Sequence, residues 1–394
     1  MGCLLEISVL IASTGIVPAP PLFGGAIESH AYVLANAIAE KGATVHFVSD
    51  TTPKARFHPR IQIHKLHTPV RRFPAPFPAW ILTHSIGGSL SAKVSYQVTL
   101  TQKVDVAHFH EETSALLYLA LRPKVPVVFT LHNPPSWASK VPSPTEGFVR
   151  RTISVLTSQH IIKKVDRFIA LSSSIATQFS EQLGLEKNRV KVVPHPIDTD
   201  FFRPDDERER EAREKFRLSG PYILFVGRLD PRKGVGTLLR AMAKSRPQVT
   251  LVIVGDGVER ESLAKLTKSL GLESSTRFLG SVPLQILPGL YSGADCLVLP
   301  SLSEMSPLTV IESLSSGSPV VASDLAVLRD IIRNGENGFL VAPTADSLAK
   351  AISAVVSDSS LRMKLKRNAR QGALLTNSKE VVAEGLLNIY NELV

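Results

Sequence analysis

Two carboxylates frame what reads as a helix start. Glu304 lies in a polar loop and Glu312 on the helix, with seven residues between them. Glu312 shares its helix face with Leu308, Val310, Ile311 and Leu314, and an unpaired charge there would cost several kcal/mol. Sugar hydroxyls would satisfy it, because a carboxylate accepts two of them at once. The competing reading is a capping carboxylate beside a solvated helix glutamate. Cys296 to Leu299 is a short apolar run ending in Pro300, which predicts a buried parallel strand. Ser306 is a suitable N-cap and Pro307 a suitable first helical residue, and Gly317 stops the helix. The free N–H groups of Leu308 and Thr309 would then point out of the carboxyl end of a strand, where α/β proteins hold phosphate.

Arg228 and Lys233 stand five residues apart in the loop Gly227 to Gly234, after the apolar run Ile223 to Val226. Two cations at a strand end could neutralise a diphosphate as its bond breaks. By itself such a loop is more often plain surface. Gly24 and Gly25 follow the first strand and could let backbone approach a ligand closely. His108 and His110 form H-x-H with no third ligand at suitable spacing, so they read as structural or acceptor-side residues and no metal site is expected. His132, in T-L-H-N-P, taken alone reads as a satisfied structural histidine.

Strand ends imply a scaffold of strands. At 394 residues the chain is long for one core, and 44% apolar with 20% charged residues is a globular composition. Leu4–Ala12, Thr44–Ser49, Ile61–Leu66, Asp105–Phe109, Val125–Thr130, Asp166–Leu171 and Val190–Val193 read as strands, with helices such as Ala26–Lys41 between them. After a break at Val193–Asp198 and a charged helix over Asp205–Arg217, a second series begins. Its strands are Ile223–Val226, Thr250–Val254, Thr276–Leu279, Cys296–Leu299, Val320–Ala322 and Phe339–Val341. Such alternation predicts parallel, doubly wound sheets. The dinucleotide fingerprint G-x-G-x-x-G is absent.

The net charge of +10 is uneven, with 20 Lys/Arg against 13 Asp/Glu in residues 1–200. No acidic residue lies between Asp50 and Asp105, a stretch that contains Phe73 to Leu82, F-P-A-P-F-P-A-W-I-L, behind Arg71 and Arg72. It reads first as a solvated loop with aromatic anchors, and second as a contact over residues 54–103 for an anionic membrane surface. No nucleic-acid recognition motif accompanies it. Cys3 and Cys296 sit in separate apolar runs, which implies reduced thiols and a cytoplasmic setting. The segment Leu4–Ala12 lacks a basic leader and reads as a core strand, and no apolar run is long enough to span a membrane.

The pieces V-G-R-L-D-P-R-K-G, V-I-V-G-D-G, R-F-L-G-S-V, L-Y-S-G-A-D-C-L-V-L-P-S and I-E-S-L-S-S-G resemble the retaining GT-B glycosyltransferases of family four, the glycosyl transferases group 1. The first half agrees through G-G-A-I-E-S-H, D-V-A-H-F-H, T-L-H-N-P and A-L-S-S-S. The resemblance implies an α/β GT-B fold of two doubly wound Rossmann-like domains facing a central cleft. Residues 1–198 would form the acceptor domain and 199–375 the donor domain, with a C-terminal helix at about 376–394 packing back on the first. It also implies sugar transfer from a UDP-, GDP- or ADP-linked donor to an acceptor hydroxyl of a glycolipid, glycan or small polar molecule, with no required cofactor.

In that scheme Arg228 and Lys233 clamp the diphosphate, and Leu308 and Thr309, capped by Ser306, offer N–H groups to phosphate. Glu304 takes donor-sugar hydroxyls and Glu312 the ribose, while backbone at Gly280, Ser281 and Val282 faces the base. His132 reaches the donor sugar, and Gly24 and Gly25 lie against phosphate and acceptor. Domain closure would exclude water and allow front-face transfer, and the protein would work in the cytoplasm or at the inner membrane face. Two features depart from the family: Met305-Ser306-Pro307 replaces glycines after the first glutamate, and His195-Pro196 stands where Asn-Gly or His-Gly is usual. The rival readings are a nucleotide-sugar epimerase of the same fold and a non-catalytic glycan or lipid-surface binding protein.

Overall fold

A computed structural model describes residues 6–21, 25–53, 55–68, 77–132, 163–305 and 307–394, with backbone alone over 77–85. The chain divides into two compact units, Met1–Pro196 with Lys379–Val394, and Ile197–Ser378.

The first unit holds seven parallel strands: β1 (Ser8–Ala12), β2 (Thr44–Val48), β3 (Ile61–His64), β4 (Val106–Phe109), β5 (Val127–Leu131), β6 (Arg167–Ala170) and β7 (Val190–Val192). Their order is β3-β2-β1-β4-β5-β6-β7. The five inner strands are buried along nearly their whole length, whereas the edges β3 and β7 expose residues. Helices cover both faces of such a sheet, so inner strands read as unbroken apolar runs instead of alternating ones. The helix Ala26–Glu40 buries Leu34 and Ile38 in a cluster shared with Val382, Leu386 and Tyr390 of the C-terminal helix Lys379–Asn391.

One expectation is corrected here. The aromatic segment read as a solvated loop with aromatic anchors runs into a helix, Phe77–Thr101. Of Phe73 to Leu82, the first four residues lie outside the described part, and the rest are helical backbone. Within that helix, Gly87 and Gly88 are contact points. A Cβ on Gly87 would stand 2.5 Å from the Gly15 carbonyl oxygen, and one on Gly88 2.8 Å from Cβ of Thr113. Among the described residues no helix is long and apolar enough to cross a membrane.

The second unit holds β8 (Tyr222–Val226), β9 (Thr250–Val254), β10 (Thr276–Gly280), β11 (Leu297–Leu299), β12 (Val320–Ser323) and β13 (Gly338–Val341), all parallel, in the order β10-β9-β8-β11-β12-β13. The charged run is the helix Asp206–Phe216, which Asp205 caps by accepting from Arg208 N at 3.1 Å; only Ala212 on it is buried. In each unit the strand order reverses beside the first strand, between β1 and β4 and between β8 and β11. Loops leaving such a pair diverge to opposite faces and open a crevice at the carboxyl edge.

Candidate active site

In the second unit, the loops after β8 and β11 meet at that crevice. Gly234 makes the approach possible: its φ is +67°, and a Cβ there would lie 2.2 Å from the Pro300 carbonyl oxygen at the end of β11. Leu302 N donates to the Arg232 carbonyl at 2.7 Å, which ties the two loops together by backbone. Lys233 Nζ then donates to Glu304 Oε1 at 2.6 Å, and Ser301 Oγ donates to the same oxygen at 2.7 Å. The side chain of Glu304 is 7% exposed and that of Lys233 21%, so this pair is largely withdrawn from water.

Arg228 lies in the same loop, ahead of the short turn Pro231–Lys233, with its side chain 62% exposed. Its Nε donates to Asp230 Oδ2 at 2.7 Å, leaving the guanidinium's far edge open. Asp230 also accepts from Arg232 N at 3.0 Å and Arg232 Nη2 at 3.3 Å. Burial opposes ionisation of Asp230, but the hydrogen bonds from Arg232 and Arg228 outweigh it and hold the carboxyl below its ordinary value. Sequence reading missed Asp230, because an acid between two arginines looks like surface charge.

The neighbouring loop after β9 packs equally closely. A Cβ on Gly255 would stand 1.9 Å from the Gly227 carbonyl oxygen, and Gly255 N donates to the Gly280 carbonyl at 2.8 Å. Gly280 therefore ends β10 beside the Arg228 loop, with Ser281 exposed and Val282 half-buried after it.

Glu312 does lie on the helix Leu308–Ser315, and it is buried. Its partner is Tyr291, whose hydroxyl donates to Oε2 at 2.8 Å. Burial pushes the Glu312 carboxyl up to about 7, with the Tyr291 hydrogen bond acting the other way. Tyr291 was invisible as a partner because it lies 21 residues upstream on another helix, Leu287–Ser292. The helix start differs from expectation. Pro307 occupies the capping position in extended conformation, φ −75° and ψ 109°, with no side-chain cap, and Ser306 lies outside the described residues. Without an N–H, proline fits either place; its extended ψ puts the first helical residue at Leu308. Leu308 N and Thr309 N have no hydrogen-bond partner among the described residues.

The first unit collects histidines at the carboxyl ends of β4 and β5. His108 is structural: Nδ1 pairs with the Tyr390 hydroxyl at 2.6 Å and Nε2 with Thr130 Oγ1 at 2.7 Å. His110 Nδ1 and His132 Nε2 are 3.0 Å apart. His30 Nδ1 and His195 Nδ1, contributed from far apart in the chain, lie 2.7 Å apart. Burial holds all five imidazoles below their ordinary value, with neighbouring imidazoles adding to the effect on His30, His110 and His132. Ring nitrogens of His30, His132 and His195 all fall within 4.8 Å of one another, a set that could hold a metal ion. Local spacing around H-x-H could not reveal it, since two of its members come from a helix and from the chain after β7. Gly25 caps the helix Ala26–Glu40 at φ +73°, where a Cβ would stand 2.9 Å from Glu28 Oε2; Gly24 lies outside the described residues. Glu28 is buried, accepts from Thr14 Oγ1, and has its carboxyl raised by burial.

Comparison with known proteins agrees with this layout. Residues 206–372 match the family described as glycosyl transferases group 1, and residues 23–201 match glycosyltransferase family 4. The D-inositol 3-phosphate glycosyltransferase of Acidothermus cellulolyticus is 31% identical over 73% of this chain and 67% of its own length. The alpha-D-kanosaminyltransferase of Streptomyces kanamyceticus is 25% identical over 91% of this chain and 98% of its own. Among solved structures, sucrose-phosphate synthase from Thermosynechococcus elongatus superposes with a TM-score of 0.81 at 23% identity, covering 98% and 99% of the two chains. The Anabaena protein HepE in complex with UDP gives 0.73 at 20%, covering 98% and 100%. With both sheets, their strand order and these matches in hand, the chain belongs to the glycosyl transferases group 1 and has the GT-B fold.

Proposed function

We propose that this glycosyltransferase moves a sugar from a nucleotide-diphosphate sugar to an acceptor hydroxyl with retention of configuration. The observation that carries the reading is the Lys233–Glu304 pair at 2.6 Å, held where the β8 and β11 loops converge. One point of the crevice thus offers a cation for the leaving diphosphate and a carboxylate for sugar hydroxyls. Arg228, aimed by Asp230, supplies the second cation, and the N–H groups of Leu308 and Thr309 add the field of a helix start, about 0.3–1 kcal/mol. Glu312 takes the ribose, the backbone at Gly280 to Val282 the base, and His132 a sugar hydroxyl. Bond breaking then depends chiefly on stabilising the departing diphosphate, for which removal of one such group costs about 2.7–4 kcal/mol.

The test starts from a panel of UDP-, GDP- and ADP-sugars scored by thermal shift. A ligand at 100 times its dissociation constant adds about 2.7 kcal/mol. Turnover with the stabilising donor should release nucleotide diphosphate only when acceptor is present; acceptor-free donor consumption without that release is the epimerase outcome. Lys233→Ala should lower kcat by about 10²–10³ with the fold intact. Near-normal turnover by that variant refutes the assignment.

A further inference from the structure

We propose that His30, His132 and His195 form a binding site for a divalent transition metal ion of the zinc class. All three side chains belong to the first unit, and all three are buried, at 4%, 8% and 3% exposure. The ring of His30 stands 4.9 Å from that of His132 and 4.7 Å from that of His195, centroid to centroid, at 88° and 72°. The rings of His132 and His195 lie 5.8 Å apart at 39°, so the His30 ring stands edge-on to both of them.

The ligand chemistry agrees. Three neutral imidazoles without a carboxylate favour Zn2+, Co2+ or Ni2+ over Mg2+ or Ca2+, which take oxygen ligands. Zinc–nitrogen bonds of about 2.0–2.1 Å put tetrahedral ligand atoms roughly 3.4 Å apart, inside the 4.8 Å envelope of these nitrogens. His30 Nδ1 and His195 Nδ1, at 2.7 Å, share a proton; on loading they separate by under an ångström and that proton moves to the far nitrogen of its ring. His110 supplies an outer contact that orients a ligand: its Nδ1 lies 3.0 Å from His132 Nε2. His110 Nε2 is itself buried without a hydrogen-bond partner. Three protein ligands leave a position open for water or substrate. On the reading of His132 given above, the ion would take that imidazole away from the donor sugar, and metal would act as an inhibitor.

Binding is measured directly, so the outcome does not depend on any activity. Full-length protein stripped with chelator is titrated with Co2+ and followed by visible absorption, then with Zn2+. One Co2+ per chain with the strong d–d bands of a low-coordinate imidazole site, displaced by Zn2+, is the expected result. His195→Asn and His30→Asn should abolish the bands with circular dichroism unchanged, and His67→Asn, at an exposed histidine, should keep them. Absence of those bands in the wild-type protein, or their persistence in both site variants, overturns the proposal. Should a site variant fail to fold, the wild-type spectrum decides alone.

Discussion

Glu312→Gln separates the cost of a buried carboxylate from its use. The folded protein holds this carboxyl at about 7 against an ordinary 4.5. A raised acid binds its proton more tightly folded than unfolded, so its contribution to stability is greatest at or below pH 4.5 and is lost as pH rises through 7. At pH 7.5 the difference in ionisation costs about 3 kcal/mol, and at pH 5 under about 1 kcal/mol. Glutamine keeps the shape and an oxygen for the Tyr291 hydroxyl but has no charge to desolvate. The variant without ligand should therefore unfold later than wild type at pH 7.5, by about 6–12 °C for a unit of this size, and the gap should shrink at pH 5. Nucleotide affinity should move the other way. Replacing charge-assisted hydrogen bonds to ribose hydroxyls costs about 1.5–3 kcal/mol, a loss of about 10- to 150-fold for whichever of UDP, GDP or ADP the wild type binds. Wild-type affinity should likewise fall as pH drops below about 7, where Glu312 takes up its proton. Calorimetric unfolding at the two pH values with nucleotide titration settles both. A variant that is less stable at pH 7.5 and binds nucleotide as wild type does would refute the reasoning.

Asp230→Asn should leave unfolding nearly unchanged, since an ion pair to an arginine that is 62% exposed contributes about 0.2–1 kcal/mol, yet misaiming Arg228 should lower kcat by up to about 100-fold. Gly234→Ala and Gly271→Ala form a matched pair: φ is +67° and +66°, but only the first Cβ meets a neighbour, the Pro300 carbonyl oxygen at 2.2 Å. Denaturant unfolding should show about 1 kcal/mol lost for the second and clearly more for the first, with nucleotide binding lost only in the first. Gly87→Val should destabilise the first unit through the Gly15 carbonyl, 2.5 Å from the new Cβ, and equal stability would mean that contact can relax.

What could be read from sequence depended on range. Inner strands such as Thr250–Val254 were legible because burial on both faces writes itself as a continuous apolar run. Edge positions and helix ends were less so, as Pro307 illustrates: a residue with no N–H is compatible with two adjacent capping positions, and only backbone angles choose. The close approach at Gly87 is likewise not written locally, since the neighbour that requires a glycine lies more than 70 residues away in Gly15. Partnerships across the fold were out of reach altogether. Nothing local joins Tyr291 to Glu312, or His30 to His195, because each pair is created by the order of strands.

That dependence explains why the cation and carboxylate of the second unit occur together. A lysine withdrawn to 21% exposure without a counter-charge would be costly, as would a glutamate at 7%. Placed on loops after β8 and β11, which the strand order makes adjacent, Lys233 and Glu304 neutralise each other in the free protein. On the function proposed above, a diphosphate would draw Lys233 away and the hydroxyls of a sugar would satisfy Glu304 in its place. A ligand carrying both groups compensates both partners at once, whereas free phosphate would leave the carboxylate buried with only Ser301 to serve it. On the function proposed above, the pairing itself would favour a sugar linked to a diphosphate over either part alone.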